Sequence, residues 1–349
     1  MPERDGLPRP VVATAFDDRY LWPWACTVFS AVESSREPVR VLVANTNNML
    51  SAKGANVAKA LLGVLGAEGK VVDIIVEVKD FARYQWNATV YARLGLLDSL
   101  DEVFLWLDSD LLLRPGWQTI FELGSKMLED QSLLACAVRD RQPTLDLLRK
   151  EGTNEAYLAA GDNYFNTGVF LADPRRWRSA GLQDKWVGLV GEAQARGFVF
   201  PDQDVLNFLL AGRAGLLAGD FNHIVSEPTS GREVVLHYAG YPKPWALAPA
   251  GRAFFVATEA LNEGRPEHQI SGGGTAWQLF PAYWDLERRL QDMLKDRGEH
   301  ELLEQLLCSR AQTLVAMSPQ ERVKLLAMRA LARRILRARG TGTVGPPSR

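Results

Sequence analysis

Cysteine, net charge and long apolar runs are all scarce in this sequence, and each shortage removes a class of protein. Its 349 residues include three cysteines, Cys26, Cys136 and Cys308, far apart and odd in number. That set makes neither a disulfide framework nor a paired-cysteine metal knuckle, and it suits a reducing compartment. The formal net charge is -2, so no global field favours nucleic acid. The opening MPERDGLPRP has no apolar signal segment, and no uncharged apolar run reaches the roughly eighteen residues that a membrane helix needs. The expectation is a cytoplasmic chain with no transmembrane segment and no nucleic-acid partner. Two glycine signatures are missing as well: no G-x-G-x-x-G follows the first expected strand, and no G-x-x-x-x-G-K-[ST] occurs. Their absence speaks against a dinucleotide-dependent enzyme and against a P-loop phosphotransferase.

What is present is a repeated alternation. Hydrophobic residues make up 47 % of the chain, enough core for one large α/β domain or for a domain of about 250 residues with an appendage. Short apolar strands are expected at residues 10–15, 39–44, 71–76, 103–107, 133–138, 164–171 and 234–238. Between them the spacing predicts helices over 21–34, 52–65, 87–100, 120–131 and 176–192, with a further one opening at Pro201. Gly66 and Gly69 are the expected terminators of the second helix. Strand, polar turn, helix is the pattern of βαβ units, whose ligands gather at the carboxyl ends of the strands. The 10 tryptophans are an excess for this length; those in expected loops, Trp22, Trp24, Trp245, Trp277 and Trp284, could line a pocket for a flat or ringed ligand.

After Trp245 the character changes. A loose stretch ends in Ser271-Gly272-Gly273-Gly274, and amphipathic stripes follow: Leu286, Leu290, Met293 and Leu294, then Leu302, Leu303, Leu306 and Leu307, then Leu325, Met328, Ala332 and Ile335. The last segment is basic, with Arg322, Lys324, Arg329, Arg333, Arg334, Arg337 and Arg339. It is expected to pack on the appendage or on a second subunit in a homo-oligomer, the alternative being peripheral contact with an acidic membrane surface. The expected division is a main domain over 1–250, a linker or acceptor-side segment over 251–282, a helical region over 283–339 and a tail over 340–349.

The chain is organised around EVFLWLDSDLLL at residues 102–113. Two carboxylates, Asp108 and Asp110, flank Ser109 where a buried strand ends, and side chains two apart on a strand share a side. Buried carboxylates need a strong partner, and two oxygen ligands at this spacing suit Mg2+ or Mn2+. An Asx turn with a helix cap is the plainer alternative. His237 also ends a strand, and if that strand neighbours the acidic one it completes a divalent-metal set, leaving Lys243 for phosphate; His223 is its rival. Arg93 on an apolar helix calls for an anion, either an internal carboxylate or a bound phosphate. Asn166 and a glycine sit inside the strand YFNTGVFL, where glycine marks a close approach. Asp202 and Asp204 fall in the first turn of a helix, as capping alone would favour, but capping does not account for Gln203.

Five blocks in order, AFDDRY at 15–20, TVYARLGLLDSL with EVFLWLDSDLLL, YFNTGVFL, PDQDVLN at 201–207 and HYAGYPKPW at 237–245, resemble the glycogenin-like and bacterial lipopolysaccharide galactosyltransferase-like retaining enzymes of glycosyltransferase family 8. The resemblance implies an α/β fold: a GT-A-type, Rossmann-like mixed sheet flanked by helices, with a C-terminal helical appendage. It implies a metal-dependent retaining transferase that uses a UDP-sugar donor with Mn2+ (or Mg2+) and a hydroxyl-bearing acceptor. Under it Ala15, Asp17 and Tyr20 meet the base, Arg93 lies near the phosphates and sugar, and Asp108, Ser109 and Asp110 form the D-x-D turn. His237 is the third metal ligand, Asn166 and Asp202 hold the sugar, Gln203 stands below the anomeric carbon, and Lys243 with Gly240 grips the diphosphate. Two positions depart from the family pattern: Phe16 precedes Asp17, and Arg19 stands where an asparagine would reach the ribose. Residues 139–162 match no block. The rival readings are a non-catalytic nucleotide-sugar-binding protein of the same fold and a sugar nucleotidyltransferase, which would want a glycine-rich phosphate segment that this chain lacks.

Overall fold

The computed structural model describes residues 11–77, 88–130, 132–240, 243–246 and 279–315. The main sheet is built from β1 (Val11–Ala15), β2 (Arg40–Thr46), β3 (Glu68–Ile74), β4 (Phe104–Leu107), β6 (Ala135–Arg139), β7 (Phe165–Ala172) and β8 (Ala214–Leu217), in the order β3-β2-β1-β4-β7-β6-β8. Strands β1 to β4 run parallel, β7 is antiparallel to β4 and β6, and β8 is parallel to β6. A smaller sheet holds β5 (Leu111–Leu113), β10 (Val235–His237) and β9 (His223–Ile224).

Side-chain alternation feeds two cores. In β4, Phe104 and Trp106 enter one layer and Leu105 and Leu107 the other, because a strand covered on both faces can be apolar throughout. One layer packs α1 (Leu21–Glu33), α2 (Ala52–Leu65) and α4 (Thr119–Met127) on the sheet; α3 (Ala92–Ser99), α5 (Gln142–Glu151), α6 (Glu155–Ala160), α7 (Pro174–Ser179), α8 (Lys185–Glu192) and α9 (Pro201–Leu209) cover the opposite face. The result is the expected mixed sheet between helical layers. In α2 the expected and observed bounds coincide, since local signals agree: the Ser51 side chain accepts from the Gly54 N–H, and Gly66 closes the helix.

Several expectations are corrected. Gly69 does not terminate a helix; it lies in β3 against Leu62, and β3 itself begins three residues earlier than residue 71 because its first half is an exposed edge without an apolar pattern. The helix expected over 176–192 is two helices, broken where Gly181 and Asp184 take positive φ. The helix expected from residue 87 starts as a tight 3-10 turn, Ala88–Tyr91, before α3. Trp22, Trp24 and Trp284 are in helices, not loops, and Trp277 lies outside the described residues.

Two C-terminal helices, α10 (Phe280–Asp296) and α11 (His300–Val315), complete the fold. Their stripes are buried within the chain: Leu286, Leu290 and Leu294, then Leu302, Leu303 and Leu306, join the layer formed by α1. At its centre the Trp22 Nε1–H donates to Glu287 Oε1 at 2.7 Å, and Arg310 lies 3.5 Å from the same carboxylate oxygen. A hydrogen bond to a charged group of this kind contributes about 1.5–3 kcal/mol. The third stripe, the basic segment, the tail and all but the last four residues of the 251–282 segment lie outside the described residues. No helix among the described residues is long and apolar enough to cross a membrane.

Candidate active site

The acidic turn is held by its own flanking strands. Asp108 N–H donates to the Gly168 carbonyl of β7 at 2.9 Å, and Tyr238 N–H donates to the Asp110 carbonyl at 3.0 Å. Just beyond, β5 is pinned to α1: Thr27 Oγ1 exchanges hydrogen bonds with the Leu111 main chain, and the Leu113 N–H donates to Ser30 Oγ. Antiparallel pairing of β10 with β5 sets His237 opposite Leu111. So the His237 strand neighbours the strand after the acidic turn, not β4, and the effect is still to bring the imidazole to the carboxylates.

One ligand atom from each of Asp108, Asp110 and His237 lies within 4.8 Å of the others. The two carboxylates divide their oxygens in the same way. Asp108 Oδ1 accepts from Arg93 Nη2 and Trp106 Nε1, both at 2.8 Å, while Oδ2 lies 3.8 Å from His237 Nε2. Asp110 Oδ2 accepts from Lys243 Nζ at 2.6 Å, while Oδ1 lies 3.3 Å from His237 Nε2. Each carboxylate thus spends one oxygen on a cation of the chain and turns the other to a shared point beside an imidazole nitrogen. That donor set fits a divalent ion. Burial would push the Asp110 carboxyl up, but the Lys243 ammonium against it outweighs that and holds the group well below the usual carboxylate range. Burial likewise opposes charge on Lys243, and Asp110 more than restores it.

Gly168 is the glycine that the sequence marks for a close approach, and what approaches is His237: a Cβ at residue 168 would lie 2.3 Å from the imidazole Cε1. His223, the rival histidine, is not in the cluster; it pairs in register with Leu236, and its Nε2 is buried without a hydrogen bond.

The remaining expected residues fall into two groups. Arg93 takes the internal-carboxylate option: beyond Asp108 it donates to the Thr167 carbonyl at 2.5 Å, lies 3.3 Å from Asp202 and stacks over the Trp106 ring at 4.6 Å. Asn166 Nδ2 donates to Gln203 Oε1 at 3.0 Å, and Gln203 Nε2 donates to Asp140 Oδ2 at 2.8 Å and to the Tyr164 hydroxyl oxygen at 3.2 Å. Tyr164 passes its own proton toward Asp204 Oδ1 at 2.5 Å. Burial pushes the Asp140, Asp202 and Asp204 carboxyls up. Away from this polar block, Asp17 caps the 3-10 turn Asp18–Tyr20 and accepts from the Arg19 guanidinium at 2.5 Å. Tyr20 meets the Trp245 ring edge-on at 6.1 Å, and Lys243 Nζ is 5.3 Å from that ring. Ala15 ends β1, Ser109 lies in the acidic turn, and Gly240, with φ at +79°, follows β10.

Asp140, Asn222, Thr167 and Tyr164 belong to this network without having been singled out by the sequence. Asp140 had a signal, since it stands at the carboxyl end of a strand just as Asp108 does. Asn222 had none, because its partners come from β7 and β10.

The profile of Glycosyl transferase family 8 matches residues 11–248. The chain is 25 % identical over 194 residues to a lipopolysaccharide 1,2-glucosyltransferase of Escherichia coli K12, covering 50 % of this chain and 55 % of that protein. It is 24 % identical over 174 residues to a lipopolysaccharide 1,3-galactosyltransferase of Salmonella typhimurium, covering 46 % and 50 %. The chain therefore spans about half the length of these relatives. Among solved structures, galactosyltransferase LgtC in complex with donor and acceptor sugar analogs superposes with a TM-score of 0.53 at 22 % identity, over 80 % of this chain and 95 % of that one. GlyE of Streptococcus pneumoniae TIGR4 gives 0.53 at 17 %, over 85 % and 64 %. These likenesses show a shared fold, and the profile match over the whole main sheet and the acidic turn shows that the chain belongs to glycosyl transferase family 8.

Proposed function

We propose that this protein transfers a hexose from a UDP-sugar to a hydroxyl acceptor, with manganese or magnesium at Asp108, Asp110 and His237 and with retention of the α configuration. The observation that carries the reading is the division of labour in the acidic turn, one oxygen of each carboxylate on Lys243 or Arg93 and the other turned to His237. A divalent ion bound there supplies a Lewis acid for the leaving diphosphate. Lys243 and Arg93 add two fixed cations beside it, in surroundings where preorganised charge stabilises a developing anion strongly. Asp17 and Tyr20 would take the base, with Ala15 beside them, and Asn166 and Asp202 the sugar hydroxyls.

Gln203 is held for a polar role rather than a nucleophilic one. Its amide donates to Asp140 and Tyr164, which fixes the carboxamide dipole without giving it a nucleophilic charge. A carboxylate nucleophile would have to be Asp202 or Asp204, and both are already committed, Asp202 to Arg93 and Asp204 to Tyr164, Asn154 and two main-chain N–H groups. Front-face substitution is therefore favoured over a covalent glycosyl-enzyme. In keeping with relatives named for lipopolysaccharide glucosyl and galactosyl transfer, the acceptor hydroxyl is proposed to sit on a saccharide.

The test is a panel of UDP-, GDP- and TDP-sugars assayed with manganese for slow donor hydrolysis, with NMR of the released sugar before mutarotation. UDP-hexose preference with the α anomer appearing first is expected. A β anomer first would defeat retention, preference for GDP or TDP would defeat the base assignment, and no turnover of any donor with intact binding would favour the non-catalytic reading.

A further inference from the structure

We propose that Asn222 is a positioning residue that fixes the tautomer of His237, so that an unprotonated Nε2 faces the Asp108 and Asp110 oxygens, and that the same residue ties the imidazole, through its Nδ1, to the Asn166 and Gln203 amides. The inference rests on the metal-centred reading above.

The argument starts from main-chain groups that can only donate. Gly168 N–H donates to Asn166 Oδ1 at 2.9 Å, and Thr167 N–H donates to Gln203 Oε1 at 3.3 Å. These bonds decide which end of each amide is oxygen. Asn166 Oδ1 also accepts from Asn222 Nδ2 at 2.9 Å. With its amino group committed there, Asn222 turns its oxygen to His237 Nδ1, again at 2.9 Å. An amide oxygen only accepts, so Nδ1 carries the hydrogen, and a neutral imidazole then keeps its lone pair on Nε2. That atom lies 3.3 Å from Asp110 Oδ1 and 3.8 Å from Asp108 Oδ2. Gly168 packs against the ring, and Asn222 and His237 are 5 % and 3 % exposed, leaving bulk water little access to substitute for the amide. At the far end of the chain of amides, Asp140 and Tyr164 receive the Gln203 amino group. One run of hydrogen bonds thus joins the metal position to the residue proposed to stand below the sugar.

Two measurements test this. Long-range 1H–15N NMR of the metal-free wild-type chain, with His237 identified by its loss in His237→Gln and followed upward in pH until its ring carries a single proton, should place that proton on Nδ1 and leave Nε2 bare. The opposite tautomer would overturn the proposal without any variant having to fold. Electron paramagnetic resonance of free Mn2+, with no sugar nucleotide present, should find binding about 10- to 100-fold weaker in Asn222→Ala, the usual cost of losing a group that orients a ligating imidazole. Asn222→Asp keeps an acceptor for Nδ1 and loses the donor to Asn166, so it should restore Mn2+ binding while kcat stays low. Wild-type affinity in a folded Asn222→Ala, or an equal loss in Asn222→Asp, would reduce Asn222 to a structural residue. Failure of the wild type to bind Mn2+ would instead sink the metal reading itself, which the NMR pattern does not depend on.

Discussion

Two regions of this molecule meet at Lys243 and are built on different plans. On one side, the acidic turn and His237 are set by strand pairing, β4 with β7 and β5 with β10, and each carboxylate of the turn faces a cation of the chain. On the other, the shelf carrying Asp17, Tyr20 and Trp245 is propped by helices from far along the chain. Ser309 Oγ donates to the Asp18 carbonyl at 2.8 Å, the Arg310 guanidinium reaches the Trp245 carbonyl, and Tyr283 packs on Trp245 at 5.5 Å. These props lie beyond the residues 11–248 that define the family match. Both sets of residues lie inside the matched range, but the acidic side rests on backbone register, whereas the shelf depends on side-chain contacts from the C-terminal pair of helices. Damage to the first should reach metal binding and catalysis; damage to the second should be felt as donor affinity.

The sharpest way to break this contrast is Asp110→Asn. It removes a ligand charge while leaving Lys243 buried without its carboxylate, and breaking a buried pair from one side costs about 3–5 kcal/mol. Manganese-dependent UDP binding should vanish in calorimetry, while His223→Ala keeps it; retained metal dependence in Asp110→Asn would mean that the metal sits elsewhere. Gln203→Ala comes next: donor binding should persist while kcat falls about 10- to 1000-fold, the range for losing one transition-state polar contact. Full turnover would return attention to Asp202 and Asp204. Gly168→Ala should then lower kcat/KM about 10- to 100-fold by displacing the imidazole, and a structure of the variant with an unmoved His237 would count against the packing argument. The smallest effect is expected on the shelf. Arg310→Ala should raise donor KM about 2- to 10-fold with kcat unchanged, as loss of one hydrogen-bonding group allows; a fall in kcat with KM unchanged would erase the distinction between the regions.

Much of the framework could be read from local pattern. The bounds of α2, the buried strand β4 and the placing of Asp108, Asp110 and His237 at strand ends all follow from periodicity, capping and polar punctuation. The third strand and the helix over 176–192 differ from the sequence pattern where that pattern is weak, at an exposed edge and at a break set by backbone conformation. Arg93 shows the limit of a single residue's context: an anion was required, but only packing shows that Asp108 and Asp202 supply it together.

By itself, then, the sequence determined the strand and helix alternation, the family blocks and the residues able to hold a cation, since these depend on spacing within a few turns or strand steps. Tertiary structure decided the rest. It put Glu287 under Trp22 across 265 positions, folded two C-terminal stripes back on α1, gave Lys243 to Asp110, and drew Asn222 and Asp140 into the His237 to Gln203 network. The reason is physical: hydrogen-bond partners of buried polar groups are set by how distant strands and helices dock, and no local periodicity encodes that docking.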